Sequence, residues 1–345
     1  MKLKNILIAL SVVGAFVFLG YLYVWYQKAF SPNLKNWDEK EYFYIRTSDN
    51  FLDVLQALRP YLNDPEGFEE IASQRSFNSN LIAGRFKLTN GMDSYSLIEA
   101  LRKNVPVRLT FNNQERIENL AGRIASQVEA DSIAMMEVFY DPQFLKENGF
   151  TKESVLVGFL PETYEFYWTV TPLKMRNRMH KEYLKFWDEE RKEKAAALGL
   201  TPVEVAILAS IVQKETSKND EKSKVAGVYL NRMRIGMPLQ ADPTVVYAKK
   251  LYTDDFDQVI KRVYHKDTEI ASPYNTYQNV GLPPGPIFMP DKGTIDAVLN
   301  AEKHDYIYFC ASVDRMGYHE FAETLAQHNQ NSRKYSAWLN QSGIK

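Results

Sequence analysis

Residues 6–26 read ILIALSVVGAFVFLGYLYVWY, 21 positions without a charge. A helix needs roughly 20 apolar residues to cross a bilayer, so this run divides the chain into a membrane part and a part that must fold in water. Tyr21, Tyr23, Trp25 and Tyr26 crowd its C-terminal end, where rings with a polar edge favour the headgroup layer. A cleaved signal peptide is the rival reading, but it would have a shorter apolar region followed by small residues, whereas YVWYQKAF stands here. An uncleaved single-pass anchor is therefore expected. Charge barely orients it: Lys2 and Lys4 precede the run, and Lys28, Lys35 and Lys40 follow it.

The remainder of the 345 residues is enough for two modest domains. Lys+Arg number 42 and Asp+Glu 43, a net charge of -1 that offers no broad basic surface for a nucleic acid. The lone Cys310 excludes an internal disulfide framework and a multi-thiolate metal site. Residues 27–40 are polar with one proline and read as a juxtamembrane linker. Residues 41–111 then give a strand (41–46), helices near 51–58 and 68–73, a strand (84–88), a turn at Asn90-Gly91, a helix (95–103) and a strand (105–111). This order predicts a compact α+β module. Residues 112–345 form a larger unit, helical at first, then rich in Pro and Gly loops, ending in strands near 305–313 and 318–321 and a last helix.

The most informative helix starts at Thr201, where Thr201 with Glu204 forms a capping box and Pro202 takes the first helical position. Leu208, Ile211 and Val212 mark its apolar face, and the next position of that series is Glu215. A carboxyl in an apolar stripe has its charged form disfavoured, which suits a general acid working near neutral pH. The structural alternatives are that Glu215 ends the helix and tilts into water, or pairs with Arg232 or Arg234. Asp242-Pro243 suits an N-cap and first helical position, whereas Gln240 has no such role. In SPYNTYQNVGLPPGP (272–286), Tyr274, Asn275, Tyr277 and Asn279 flank a stiff Pro-Gly segment, a combination of amides, hydroxyls and flat rings that fits a sugar or an ordinary ordered loop. Five histidines show no metal-ligand spacing, and neither GxSxG nor a phosphate-binding glycine loop occurs. His319 and His328 flank the last strand-to-helix connection.

The runs ASIVQKET (209–216), VYLNRMRIGMPLQADPTVVYA, SPYNTYQNVGLPPGPI and GYHEFAETLAQHN (317–329), in this order, resemble the MltG (YceG-like) endolytic murein transglycosylases. GFLPETYEF (158–166) is similar to that family's upstream motif, and residues 41–111 look like its LysM-like subdomain. The resemblance implies a bacterial inner-membrane lyase, residues 1–5 cytoplasmic and the rest periplasmic, that cuts nascent glycan strands between N-acetylmuramic acid and N-acetylglucosamine and leaves 1,6-anhydro ends. It implies Glu215 as the acid/base, with Gln240, Asp242, Tyr274, Asn275, Tyr277, Glu162, Tyr164 and His328 in the glycan groove. Peptidoglycan synthases are implied as partners, and no metal or organic cofactor. Members commonly carry a second Glu two residues before the catalytic one; here that position is Gln213. GRFKL places Phe86 where the small module more usually has Gly-x-Tyr. Two other functions remain open on the residues alone, a glycan-binding scaffold without turnover, and a water-using muramidase with Glu162 or Asp242 as base.

Overall fold

The computed structural model describes residues 3–341; Met1 and Lys2 of the expected cytoplasmic tail and residues 342–345 lie outside the described residues. The fold is mixed helix and strand, in two compact units. The first holds everything up to Leu109 together with residues 127–130 and 165–171; the second holds 110–126, 131–164 and the chain from Pro172 onward.

The first unit opens with helix α1 (Leu3–Phe30), long and apolar enough to cross a membrane. The helix runs past the end of the uncharged run into the unit's own core. Ala29 is fully buried, Trp25 donates to Gln74, Lys28 pairs with Glu70, and Phe30 stacks on Tyr95 at 5.5 Å. The expected linker at 27–40 is accordingly a packed segment. Asn33, buried, donates to Asp64 O (3.0 Å) and Ser94 Oγ (2.9 Å) and accepts from Asp64 N (2.7 Å). Its polarity serves hydrogen bonds inside the fold, which composition alone cannot separate from polarity facing water.

β1 (Phe43–Ile45), α2 (Phe51–Leu58), α3 (Pro65–Gln74), β2 (Gly84–Phe86) and α4 (Ser94–Ala100) follow as the pattern predicts. β1 and β2 pair antiparallel with Phe43 opposite Phe86, and both rings face a core that includes Leu58, Phe68, Phe77 and Leu97. Helix starts are set by side chains: Asn50 and Asp53 form a capping box, and Asp64 and Asp93 cap α3 and α4. The chain returns to this unit twice. Glu129 accepts from Thr47 N and Oγ1 at 2.7 and 2.6 Å, and the Trp168 ring lies 4.9 Å from Tyr44. β3 (Val107–Phe111) and β4 (Glu162–Phe166) each contain residues of both units.

The second unit contains α5 (Ile117–Ala125), α6 (Ser132–Phe139), α7 (Pro142–Asn148), α8 (Pro172–Phe186), α9 (Glu189–Ala197), α10 (Pro202–Glu215), α11 (Lys222–Arg234), α12 (Asp242–Thr253), α13 (Lys292–Leu299), the hairpin β5 (Tyr308–Ala311) and β6 (His319–Ala322), and α14 (Leu325–Gln341). α10 is its axis. Every residue from Val205 through Val212 is buried, so the helix is enclosed by α9, α11, α12 and α13 well beyond the apolar face that Leu208, Ile211 and Val212 mark in the sequence. β5 and β6 pair antiparallel with Phe309 opposite Phe321, and α14 packs on both strands.

Candidate active site

α10 begins where Thr201 Oγ1 accepts from Glu204 N (3.2 Å) and Glu204 Oε2 accepts from Thr201 N (2.8 Å). It ends at Glu215, because Thr216 is extended (φ −137°, ψ 139°). The site is thus the C-terminal end of a buried helix, where the peptide dipoles disfavour an added negative charge. Glu215 is half-buried as a residue, but its Oε2 is sealed from solvent and has no hydrogen-bond partner. Burial, and secondarily the negative charge of Asp242, push its carboxyl up to about 7.

Tyr229, on α11 and 1% exposed, turns its hydroxyl toward this carboxyl. It is near enough to favour the ionised form, yet neither the Tyr229 hydroxyl nor Glu215 Oε2 completes a hydrogen bond of ordinary geometry. Arg232, one turn further along α11, also favours the ionised form from a distance. Its guanidinium is committed to two carbonyls, Ile307 O (2.6 Å) and Leu239 O, so the alternative of a Glu215–Arg232 ion pair is not realised. Buried polar groups without a completed hydrogen bond are rare in folded proteins and accompany strain, catalysis or a bound water or ion.

Asp242 is the first residue of α12, and the expected capping role is not observed. Ala241 occupies the N-cap without a side-chain bond, and Asp242 Oδ1 instead accepts from the Tyr277 hydroxyl at 2.7 Å. Thr276 holds the two segments together: its Oγ1 accepts from Ala241 N (3.1 Å) and lies 2.8 Å from Thr244 Oγ1, while its carbonyl accepts from Gln240 N (3.0 Å). Gln240 is held in the left-handed region at φ 47°, with its side chain exposed just ahead of Asp242. His328, on α14, stacks on Tyr308 at 5.3 Å with its Nδ1 buried and unpartnered. Burial and the Arg232 charge lower its pKa, leaving the ring neutral at pH 7.

The other expected groove residues make their visible contacts within the fold. Asn275 is fully buried and spends its amide on Thr268 O and Ile270 O (both 2.9 Å), bracing its own loop. Tyr274 is buried against Tyr247 at 4.7 Å. Tyr164 is a core residue stacked on Phe111, its hydroxyl donating to Leu160 O at 3.2 Å. Glu162 pairs with Lys292 on the surface. Residue type suggested sugar contact for Tyr274 and Asn275, and the family resemblance for Glu162 and Tyr164; the contacts each makes in the structure are local. Tyr229 is the residue that sequence reasoning passed over as packing. Its signal was the i, i+3 spacing to Arg232, which puts both on one face of α11.

Behind Glu215 a second cluster fixes the backbone. Thr216, buried, donates to Glu221 Oε2 (3.1 Å), and Glu221 also accepts from His319 N and holds His319 Nδ1, both at 2.8 Å. On the far side of α10, Gln213 donates to Asp291 Oδ2 (2.9 Å) and accepts from Asp291 N (2.6 Å).

The chain matches the YceG-like family over residues 43–334. The endolytic murein transglycosylase of Bacillus subtilis (strain 168) is 30% identical over 284 residues, covering 76% of this chain and 75% of the relative. The endolytic murein transglycosylase of Streptococcus pneumoniae serotype 2 (strain D39 / NCTC 7466) is 36% identical over 132 residues, 38% of this chain but 23% of that longer relative. Among solved structures, the crystal structure of a putative yceG-like protein from Listeria monocytogenes superposes with a TM-score of 0.55 at 26% identity, covering 84% of this chain and 99% of that one.

Proposed function

The chain belongs to the YceG-like family, and we propose that it is a membrane-anchored lytic transglycosylase of peptidoglycan that works with Glu215 as its one proton-shuttling carboxyl. The observation that carries this reading is the sealed, unpartnered Oε2 of Glu215, with its pKa held up at about 7. A carboxyl protonated at neutral pH can protonate the glycosidic oxygen between muramic C1 and the glucosamine O4. The C1–O4 bond then breaks with both electrons leaving on oxygen, and the glucosamine departs with a 4-hydroxyl. Glu215, now a carboxylate, takes the proton from the muramic C6 hydroxyl as that oxygen bonds to C1. A 1,6-anhydro ring forms, the acid is regenerated and no water is consumed. Tyr229 lies beside the carboxyl and favours its charged stage; Asp242, held by Tyr277, favours its protonated stage. Gln240 and the neutral ring of His328 are the groove contacts we assign to the sugars.

The anchor places this chemistry on substrates made at the membrane. The orientation we assign puts the N-terminus in the cytoplasm and both units in the periplasm, where internal cuts would end strand elongation beside the synthases. In the small unit, Phe86 is fully buried, so any glycan contact there falls to other residues.

A muramidase is the second reading, favoured by the proximity of the Asp242 charge to Glu215. Digestion of purified glycan strands by the full chain in detergent, in water enriched in oxygen-18, distinguishes the two. Unlabelled anhydro ends, reduced about 10²–10⁴-fold by Glu215→Gln, are the expected result. Labelled reducing ends would establish hydrolysis, and uncut strands would return the protein to a scaffold.

A further inference from the structure

Lys214 precedes Glu215 on α10, and a step of one residue turns a helical side chain by about 100°. The two therefore face different spaces. The space before Lys214 is a cavity of about 660 Å³ in the second unit, walled by α10, α12 and the irregular segment 256–263. Its volume falls within the range of small-molecule sites. Asp242, whose charge reaches Glu215, is also part of its wall, so the cavity begins where the acid's own surroundings end.

The lining has a definite chemistry. Lys250 is paired with Glu115 at 2.9 Å, which neutralises both. Lys214, Lys261 and Arg262 stand outside every ion pair among the described residues; Lys214 lies 3.9 Å over the Phe288 ring and Arg262 5.7 Å over Tyr264. Apolar side chains accompany them, among them Val259, 83% exposed at the rim. Three unpaired cations, against the two carboxylates Asp242 and Asp257 that share the wall, together with apolar groups fit a ligand that is anionic and carries methyl groups.

Peptidoglycan supplies such a group at the required place. The muramic ring attacked at C1 bears, on its O3, a lactyl-linked peptide of alanines and diacids with several free carboxylates. A strand lying with that C1 at Glu215 must send its peptide out of the groove within a sugar's width. We propose that the cavity beside Lys214 is a subsite for this peptide stem, with Lys261 and Arg262 receiving its carboxylates and the apolar rim its methyl groups. The inference rests on the transglycosylase reading.

Two measurements keep the two ideas apart. The first is equilibrium binding of the full chain in detergent to a disaccharide carrying its peptide and to the same disaccharide without it. The peptide-bearing fragment binds more tightly, and the double variant Lys261→Gln/Arg262→Gln loses roughly fivefold of that preference, the amount two exposed ion pairs supply. The preference also shrinks as salt is raised. Equal affinity for both fragments, or a preference that survives the double variant and high salt, overturns the subsite. The second measurement is cleavage of intact strands. If strands stay uncut while the peptide preference and its loss are observed, the activity reading fails and the subsite stands.

Discussion

At the scale of single residues, the proposed function turns on why one carboxyl keeps its proton. Glu215 sits at the closed end of a buried helix with Asp242 nearby, and both effects act against its charge. In the proposed role of general acid it must enter the reaction protonated, so kcat/KM should fall as pH rises through about 7, read from initial rates of anhydro-end formation. Asp242→Asn removes a charge that raises Glu215, and the falling limb should move to lower pH. Stability carries the same signature with a fixed sign. The folded chain holds this proton to about pH 7 and the unfolded chain releases it near 4.5, so folding takes up a proton between those values and stability falls as pH rises through them. Glu215→Gln abolishes that loss. The variant should be more stable than the parent above pH 7, by at most about 3 kcal/mol, and nearly equal to it at pH 4, as measured by denaturant unfolding. The Glu215 position in the apolar series was legible in the sequence; the Tyr229 partner was not, since a tyrosine at a helical core spacing reads as packing until the hydroxyl is located.

At the scale of elements, α10 is held from both sides, and the holding groups are specific. Gln213 both gives to and takes from Asp291, so a carboxylate at 213 would lose the donor and face a like charge. Gln213→Glu should cost about 1–3 kcal/mol at pH 8, and less at pH 4 where carboxyls are protonated, again by unfolding. The Pro-Gly loop is set against α10 through Ile287 N, which donates to Ser210 Oγ at 3.1 Å. Gly285 in that loop is required by close approach: a Cβ there would lie 2.1 Å from Glu153 O and 2.9 Å from the Tyr274 hydroxyl. Gly285→Ala should therefore lower the melting temperature although alanine is conformationally acceptable elsewhere. Strand and helix types in residues 41–111 followed directly from periodicity and caps. The roles of Tyr274 and Asn275 did not, because a loop's internal hydrogen bonds depend on its path, and amides that brace a loop have the same composition as amides that grip a sugar.

At the scale of the whole molecule, the uncharged run was sufficient to predict a helix long and apolar enough to cross a membrane, and the mixture of helix and strand was legible in the periodicities. What sequence concealed is the continuation of α1 into the first unit, and the two short returns of the chain to it. Removal of residues 1–30 takes away Trp25, Lys28, Ala29 and Phe30, which pack on α3 and α4. A chain starting after Phe30 should unfold at a lower temperature than one starting at Gly20, even though both lack most of the span; calorimetry of the two in the same detergent is the check.

A stretch of loose chain between bilayer and protein would let the attached body turn like a kite on a string. In the proposed anchor, a helix that leaves the lipid and enters the core without a break would work as a mast. Whatever tilt a bilayer's thickness imposed on such a span would be imposed on the first unit as well. Grafting a different span through a flexible spacer would keep the protein at the membrane and lose that coupling.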